Sequence, residues 1–115
     1  MASTQTKKHT ASHKFARIAP RKARLVADMI RGKGIEDALA TLEFSPRRGA
    51  WFIKSVLRSA IANAEEANLD VGRLFVSESR VDEGPTIKRF QPKDRGRSHP
   101  IMKRTSHIHV SVDVR

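Results

Sequence analysis

The sequence contains no cysteine. Disulfides and thiolate metal sites are therefore excluded, and a reducing, cytoplasmic setting is expected. No apolar run is long enough to span a bilayer. No apolar stretch follows the basic start, as a secretory signal would require. Neither a membrane nor a secreted protein is expected. The usual catalytic signatures are missing too: there is no Gly-x-Ser-x-Gly, no P-loop and no His-Glu-x-x-His. Asp82 and Glu83 are adjacent carboxylates, but neighbours on a strand point to opposite faces. They are expected to end a strand before a turn at Gly84-Pro85. The reading is of a chain that is not an enzyme and takes no cofactor. Acids are scarce as well: 12 Asp and Glu stand against 23 Lys and Arg, a net charge of +11 in 115 residues. A body this basic repels itself, and its natural partner is a polyanion that releases counterions on contact.

The charge is segregated. Residues 1–34 carry +8, residues 35–83 carry −3, and residues 84–115 carry +6. A surface built only for solubility would mix the signs throughout. Two basic arms flanking a mildly acidic middle point to nucleic acid, with no homo-oligomer expected.

Residues 1–14 are polar, basic and aperiodic, and are expected to form a flexible tail. A single domain over 15–115 follows. Phe15 to Ile18 is expected as a short strand. A first helix is predicted from Pro20, which suits the first helical position, with Ala23, Val26, Ala27 and Ile30 as its apolar stripe and Gly32 and Gly34 as its stop. Ile35, Ala38, Leu39 and Leu42 predict a second helix, with Glu36 and Asp37 in its favoured first turn. Ser45-Pro46 reads as cap and first residue of a third helix over 46–67. Its stripe is Ala50, Ile53, Leu57, Ala60, Ile61 and Ala64. A turn over 68–72 precedes a strand from Leu74 to about Val81. Ile108, Val110, Val112 and Val114 alternate with polar residues as a half-buried strand. The connection over 82–104 has no core periodicity, three prolines and a strong positive bias. A segment this long in so small a domain is read as an extended hairpin turning near Pro92 to Gly96, its tip ~30 Å from the body. Pro100 lacks an N–H and is expected to interrupt its ladder.

The candidate phosphate-binding residues fall in two sets. The first is Lys7, Lys8 and Lys14 in the tail, with Arg17, Arg21, Lys22, Arg24, Arg31 and Lys33 around the first helix. The second is Lys88, Arg89, Lys93, Arg95, Arg97, Lys103 and Arg104 on the hairpin, where arginine offers a planar fork that grips phosphate and stacks on bases. Ile87, Phe90, Ile101 and Met102 pack across the hairpin or meet bases. His107 and His109 share one strand face. No third ligand has matching spacing, so no metal is expected there.

The blocks Pro20-Arg21-Lys22-Ala23-Arg24-Leu25-Val26-Ala27-Asp28 with Ile30-Arg31-Gly32-Lys33, then Ser59-Ala60-Ile61-Ala62-Asn63-Ala64-Glu65, then Val81-Asp82-Glu83-Gly84-Pro85 with Lys88-Arg89, and finally Lys103-Arg104-Thr105-Ser106-His107-Ile108 resemble, in order and spacing, a bacterial-type family: large-subunit ribosomal protein number twenty-two. The resemblance covers about residues 15–114. It implies an α+β fold, with three helices on a small three-stranded antiparallel sheet and a long protruding basic hairpin. It implies binding to 23S rRNA, a part in subunit assembly, and a place beside ribosomal protein number four. The hairpin tip would line the exit tunnel of the nascent polypeptide with Ile87, Lys88, Arg89, Phe90, Gln91, Pro92, Lys93, Asp94, Arg95 and Gly96. Relatives commonly carry Arg-Ala after the tip proline, where this chain has Lys93-Asp94. Asp94 must point into the tunnel or pair with Arg95 or Arg97. The first fourteen residues match no clear family pattern. Two other readings stand beside this one. An architectural DNA-binding protein would wedge a basic β-arm into a minor groove, and a metal-dependent hydrolase would use the two histidines.

Overall fold

The computed structural model describes residues 9–93 and 97–114, and for 89–93 and 97–102 it describes the backbone alone. Helix α1 is Pro20–Ile30 and buries the expected stripe, Ala23, Val26, Ala27 and Ile30, along with Pro20. It stops where Gly32 takes φ +82°, a conformation that side chains disfavour. Helix α2 is Ile35–Phe44 and buries Ile35, Ala38 and Leu42. Helix α3 is Arg48–Glu66, beginning two residues later than predicted. The reason lies at Ser45. Its N–H donates to the Leu42 carbonyl, so Ser45 closes α2, and its Oγ accepts from the Arg47 N–H at 3.3 Å. The capping position of α3 falls to Arg47, which supplies no side-chain bond. The buried face is wider than the predicted stripe: Gly49, Phe52 and Val56 join it, while Ile61 is half-buried. A Cβ on Gly49 would lie 3.2 Å from Val26 Cγ2 and 3.4 Å from Ile18 Cδ1, so this glycine lets α3 close on α1.

Three antiparallel strands complete the fold: β1 (His9–Ala16), β2 (Leu74–Lys93) and β3 (Arg97–Val114), in the order β1-β3-β2. Strand β1 corrects the expectation of a flexible tail through residue 14 and of a strand confined to Phe15 to Ile18. Its polar residues have no hydrophobic alternation to announce a strand. They are held by pairing across to β3, from His9↔Val112 to Ala16↔Ser106, and by bonds such as Thr10 Oγ1 to Ser111 Oγ at 2.9 Å.

A bulge at Ser77 sets the phase of β2. The pairing passes from Val76↔Val112 to Glu78↔Ser111, leaving Ser77 as the extra residue. Strict alternation after Leu74 and Val76 would send Glu78 and Arg80 into the core. The bulge shifts the phase by one, so Ser79 and Val81 are buried and Arg80 is exposed. A second bulge sets Gly84 and Pro85 against Thr105 alone, between Glu83↔Ser106 and Thr86↔Arg104. The expected strand-end turn at Gly84-Pro85 is thus a bulge inside one continuous strand.

Helices α1 and α3 pack on one face of this sheet, over Leu74, Val76, Val81, Ile108, Val110 and Val112. The last pair of β1 is Ala16↔Ser106, and beyond it β2 and β3 pair only with each other among the described residues. Eight consecutive pairs run from Thr86↔Arg104 to Lys93↔Arg97, a length of ~26 Å. Pro100 pairs with Phe90 in register, so the expected interruption does not occur. Among the described residues β3 has an open edge at this height, where a proline nitrogen can face outward without removing a ladder bond. The arm makes the molecule long: its radius of gyration is 17.5 Å, against about 13 Å for a compact chain of this length.

Candidate nucleic-acid interface

Three segments far apart in sequence meet where the hairpin leaves the body. A cavity of about 950 Å³ is walled by the start of α1, the start of α3 and the hairpin root. Six cations line it: Arg17, Lys22, Arg47, Arg48, Lys103 and Arg104. Leu25 and Ile87 add apolar wall. No carboxylate lines the cavity among the described residues. Six positive charges around one hollow repel each other, and an anion in the hollow would relieve them.

The helix ends sharpen this point. Ala19 and Arg47, the capping residues of α1 and α3, both border the cavity, and neither helix start is capped by a side chain. Acidic residues belong in a first turn, where they offset the positive end of the macrodipole. Neither first turn has one. Arg21 and Lys22 follow Pro20 in the first turn of α1, and Arg47 caps and Arg48 begins α3. Cations there cost each helix some stability, and a bound phosphate reverses the sign. A smaller hollow of about 300 Å³, shared through Arg104 and Thr105, continues to Lys88 and holds one acid, Glu83.

Of the sequence candidates, Arg17, Lys22, Lys103 and Arg104 come together in the main cavity. Arg21, Lys14 and Lys88 are exposed nearby in sequence or on the arm. Ile87 and Lys88 pair with Lys103 and Met102 at the root of the hairpin, not at its tip. Arg24 and Arg31 are exposed and also tie α1 to the sheet. Strand β2 lies at the sheet edge, and its outer carbonyls need donors. Arg24 Nε donates to the Val81 carbonyl at 3.1 Å, and Arg31 donates to the Ser79 carbonyl at 2.5 Å and to Asp28 at 2.8 Å. The loop after α1 covers the rest of this edge, where Gly32 N–H donates to the Val76 carbonyl and Val76 N–H to that of Lys33. Lys33 Nζ donates to Thr41 Oγ1. Lys7, Lys8, Asp94, Arg95 and Gly96 lie outside the described residues, as do the side chains of Arg89, Phe90, Gln91, Pro92, Lys93, Arg97, Ile101 and Met102.

The histidines belong to a polar row across the sheet. His109 Nδ1 meets Ser12 Oγ of β1 at 2.7 Å and its Nε2 meets Asp82 of β2 at 3.3 Å. His107 Nδ1 accepts from the Phe15 N–H at 3.1 Å, and its ring meets the Phe15 ring edge-on. Each ring nitrogen in these contacts serves strand pairing. No group of three or more metal-ligating side chains occurs among the described residues.

Arg47 and Arg48 were missed by sequence reasoning because they sit in the acidic middle. The signal was present: two arginines after a proline, at a helix start without a single acid.

A model of the family described as Ribosomal protein L22p/L17e matches residues 11–113. The match begins inside the segment expected to lie outside the family pattern, because β1 belongs to the sheet. The chain is 56% identical over 106 residues to the large ribosomal subunit protein uL22 of Ligilactobacillus salivarius, covering 91% of this chain and 92% of that protein. It is 57% identical over 104 residues to the uL22 protein of Lacticaseibacillus casei, covering 90% and 89%. To that of Desulfosudis oleivorans it is 50% identical over 101 residues, covering 88% and 89%. With the family pattern matched from the first strand to the last, the chain belongs to the Ribosomal protein L22p/L17e family.

Proposed function

We propose that this chain is a structural constituent of the large ribosomal subunit, held in place by 23S rRNA and carrying out no reaction of its own. The observation that carries the reading is the cavity at the hairpin root, where, among the described residues, six cations and two uncapped helix starts converge without a carboxylate. Family membership supports the same reading, since the relatives are named as large-subunit proteins. In it, Arg17, Lys22, Arg47, Arg48, Lys103 and Arg104 neutralise backbone phosphates, a sequence-independent grip. Lys14, Arg21 and Lys88 extend that grip over the surface.

The hairpin passes deeper into the RNA, supports subunit assembly and lines the tunnel of the nascent polypeptide beside ribosomal protein number four. The unbroken β2–β3 pairing supports this part: an arm of ~26 Å is long enough to cross a layer of packed RNA helices. Arg89, Lys93, Arg95 and Arg97 supply its charge by sequence.

Sucrose-gradient fractionation tests the proposal. The chain is expected to co-migrate with the large subunit at high salt, and Lys103→Glu/Arg104→Glu is expected to remain at the top. A wild-type chain that also remains at the top would overturn the reading. Competition separates it from the DNA-arm alternative: RNA fragments should displace bound chain far better than duplex DNA, and the opposite ranking would restore that alternative.

A further inference from the structure

The outer face of α3 carries a feature that the cavity does not use. Trp51 is the single tryptophan of the chain and is 67% exposed. Helical spacing sets Arg47, Trp51, Lys54, Ser55 and Arg58 on one face. Arg47, Ser55 and Arg58 are exposed and Lys54 is half-buried. None of these cations is in an ion pair among the described residues. The next acid on that face is Glu65, two turns beyond Arg58. The indole is braced rather than free: its ring meets that of Phe52 edge-on at 4.9 Å and 79°. Phe52 is only 7% exposed, and the Arg48 guanidinium stands 5.7 Å from its ring centroid.

This face asks two things of a partner. The exposed indole needs a flat apolar surface, and the cations need negative charge within a few ångströms of it. An unpaired nucleotide supplies both, with a π-face on the base and a charge on each flanking phosphate. We propose that Trp51 is a stacking platform for an unpaired base of 23S rRNA, with Arg47, Lys54 and Arg58 on the neighbouring phosphates. The proposal deepens the rRNA-binding reading and rests on it. Arg47 borders both the cavity and this face, so one RNA strand can run from the cavity onto α3 without a gap in positive charge.

The chain has one tryptophan and no tyrosine, so its emission above the phenylalanine range reports Trp51 alone. The full chain is titrated with 23S rRNA while tryptophan fluorescence and acrylamide quenching are read. Strong quenching by RNA and loss of acrylamide access are expected at saturation. Trp51→Ala should bind about tenfold more weakly with an unchanged salt slope, since stacking is lost and phosphate contacts are kept. Trp51→Phe should retain most of the affinity. Saturated binding with unquenched, acrylamide-accessible emission would overturn the proposal, as would wild-type affinity for Trp51→Ala. Quenching that appears only when other subunit proteins join the complex would also overturn it and assign the face to a protein. Absence of any complex at low salt defeats rRNA binding as a whole, which separates the two failures.

Discussion

Gly84 sits in the second bulge, where an added side chain would press on β3. A Cβ added there would stand 2.5 Å from Thr105 Oγ1 and 3.3 Å from the Thr105 carbonyl carbon. Thr105 cannot step aside easily, because it is buried and its hydroxyl donates to the Pro85 carbonyl at 2.7 Å. Gly84→Ala is expected to cost ~1–3 kcal/mol, measured by chemical denaturation. The double variant with Thr105→Ala should lose less than the two single variants added together. Strict additivity would show that the two residues do not meet. Side chains of this kind divide by how far the sequence reveals them. Ala23, Val26, Ala27 and Ile30 were legible because a helix face repeats. Arg24 and Arg31 read as candidate phosphate-binding residues, and only the tertiary fold shows which arginine also meets a carbonyl.

At the scale of elements, α3 begins against the rule of its own dipole. Arg47→Asp supplies both a capping carboxylate and the favoured sign of charge. It is expected to raise stability by about 1 kcal/mol. The same change removes a cation from the cavity and sets a negative charge among the phosphates, so affinity for 23S rRNA should fall at least tenfold. Melting temperature and RNA binding are expected to move in opposite directions, and a parallel change would deny the helix start its binding role. The helices were legible to within two residues because their apolar periods are long. The start of α3 was displaced because Ser45 has two possible duties, capping α3 or closing α2, and local sequence does not decide between them. Strand β1 was not legible, since its cohesion comes from residues nearly a hundred positions away. Charge and prolines marked the segment over 82–104 as unlike the core, but the in-register pairing at Pro100 was not legible.

At the scale of the molecule, charge and shape act together. The basic ends were visible in the sequence as blocks of +8 and +6. Folding joins them at one cavity and adds Arg47 and Arg48 from the middle. Six cations acting on phosphates predict a slope of log affinity against log salt of about −5 or steeper. A slope near −1 in an RNA-binding titration would mean that the cavity takes up no strand. What the sequence withheld at this scale was convergence: three segments far apart in sequence border one cavity only when α1, α3 and the hairpin root meet.

The covered edge of β2 has a consequence for the chain before it reaches any RNA. An open strand edge invites another strand to add to it, and a basic protein made ahead of its partner must avoid sticking to copies of itself. Between Val76 and Val81 the Val76 N–H and the carbonyls of Val76, Ser79 and Val81 are already taken by Arg24, Arg31 and the turn at Gly32 and Lys33. The body therefore presents no ready template there for runaway polymerisation. Among the described residues no such cover lies along β3 between Arg97 and Thr105, where the positive charge of the arm disfavours pairing between copies.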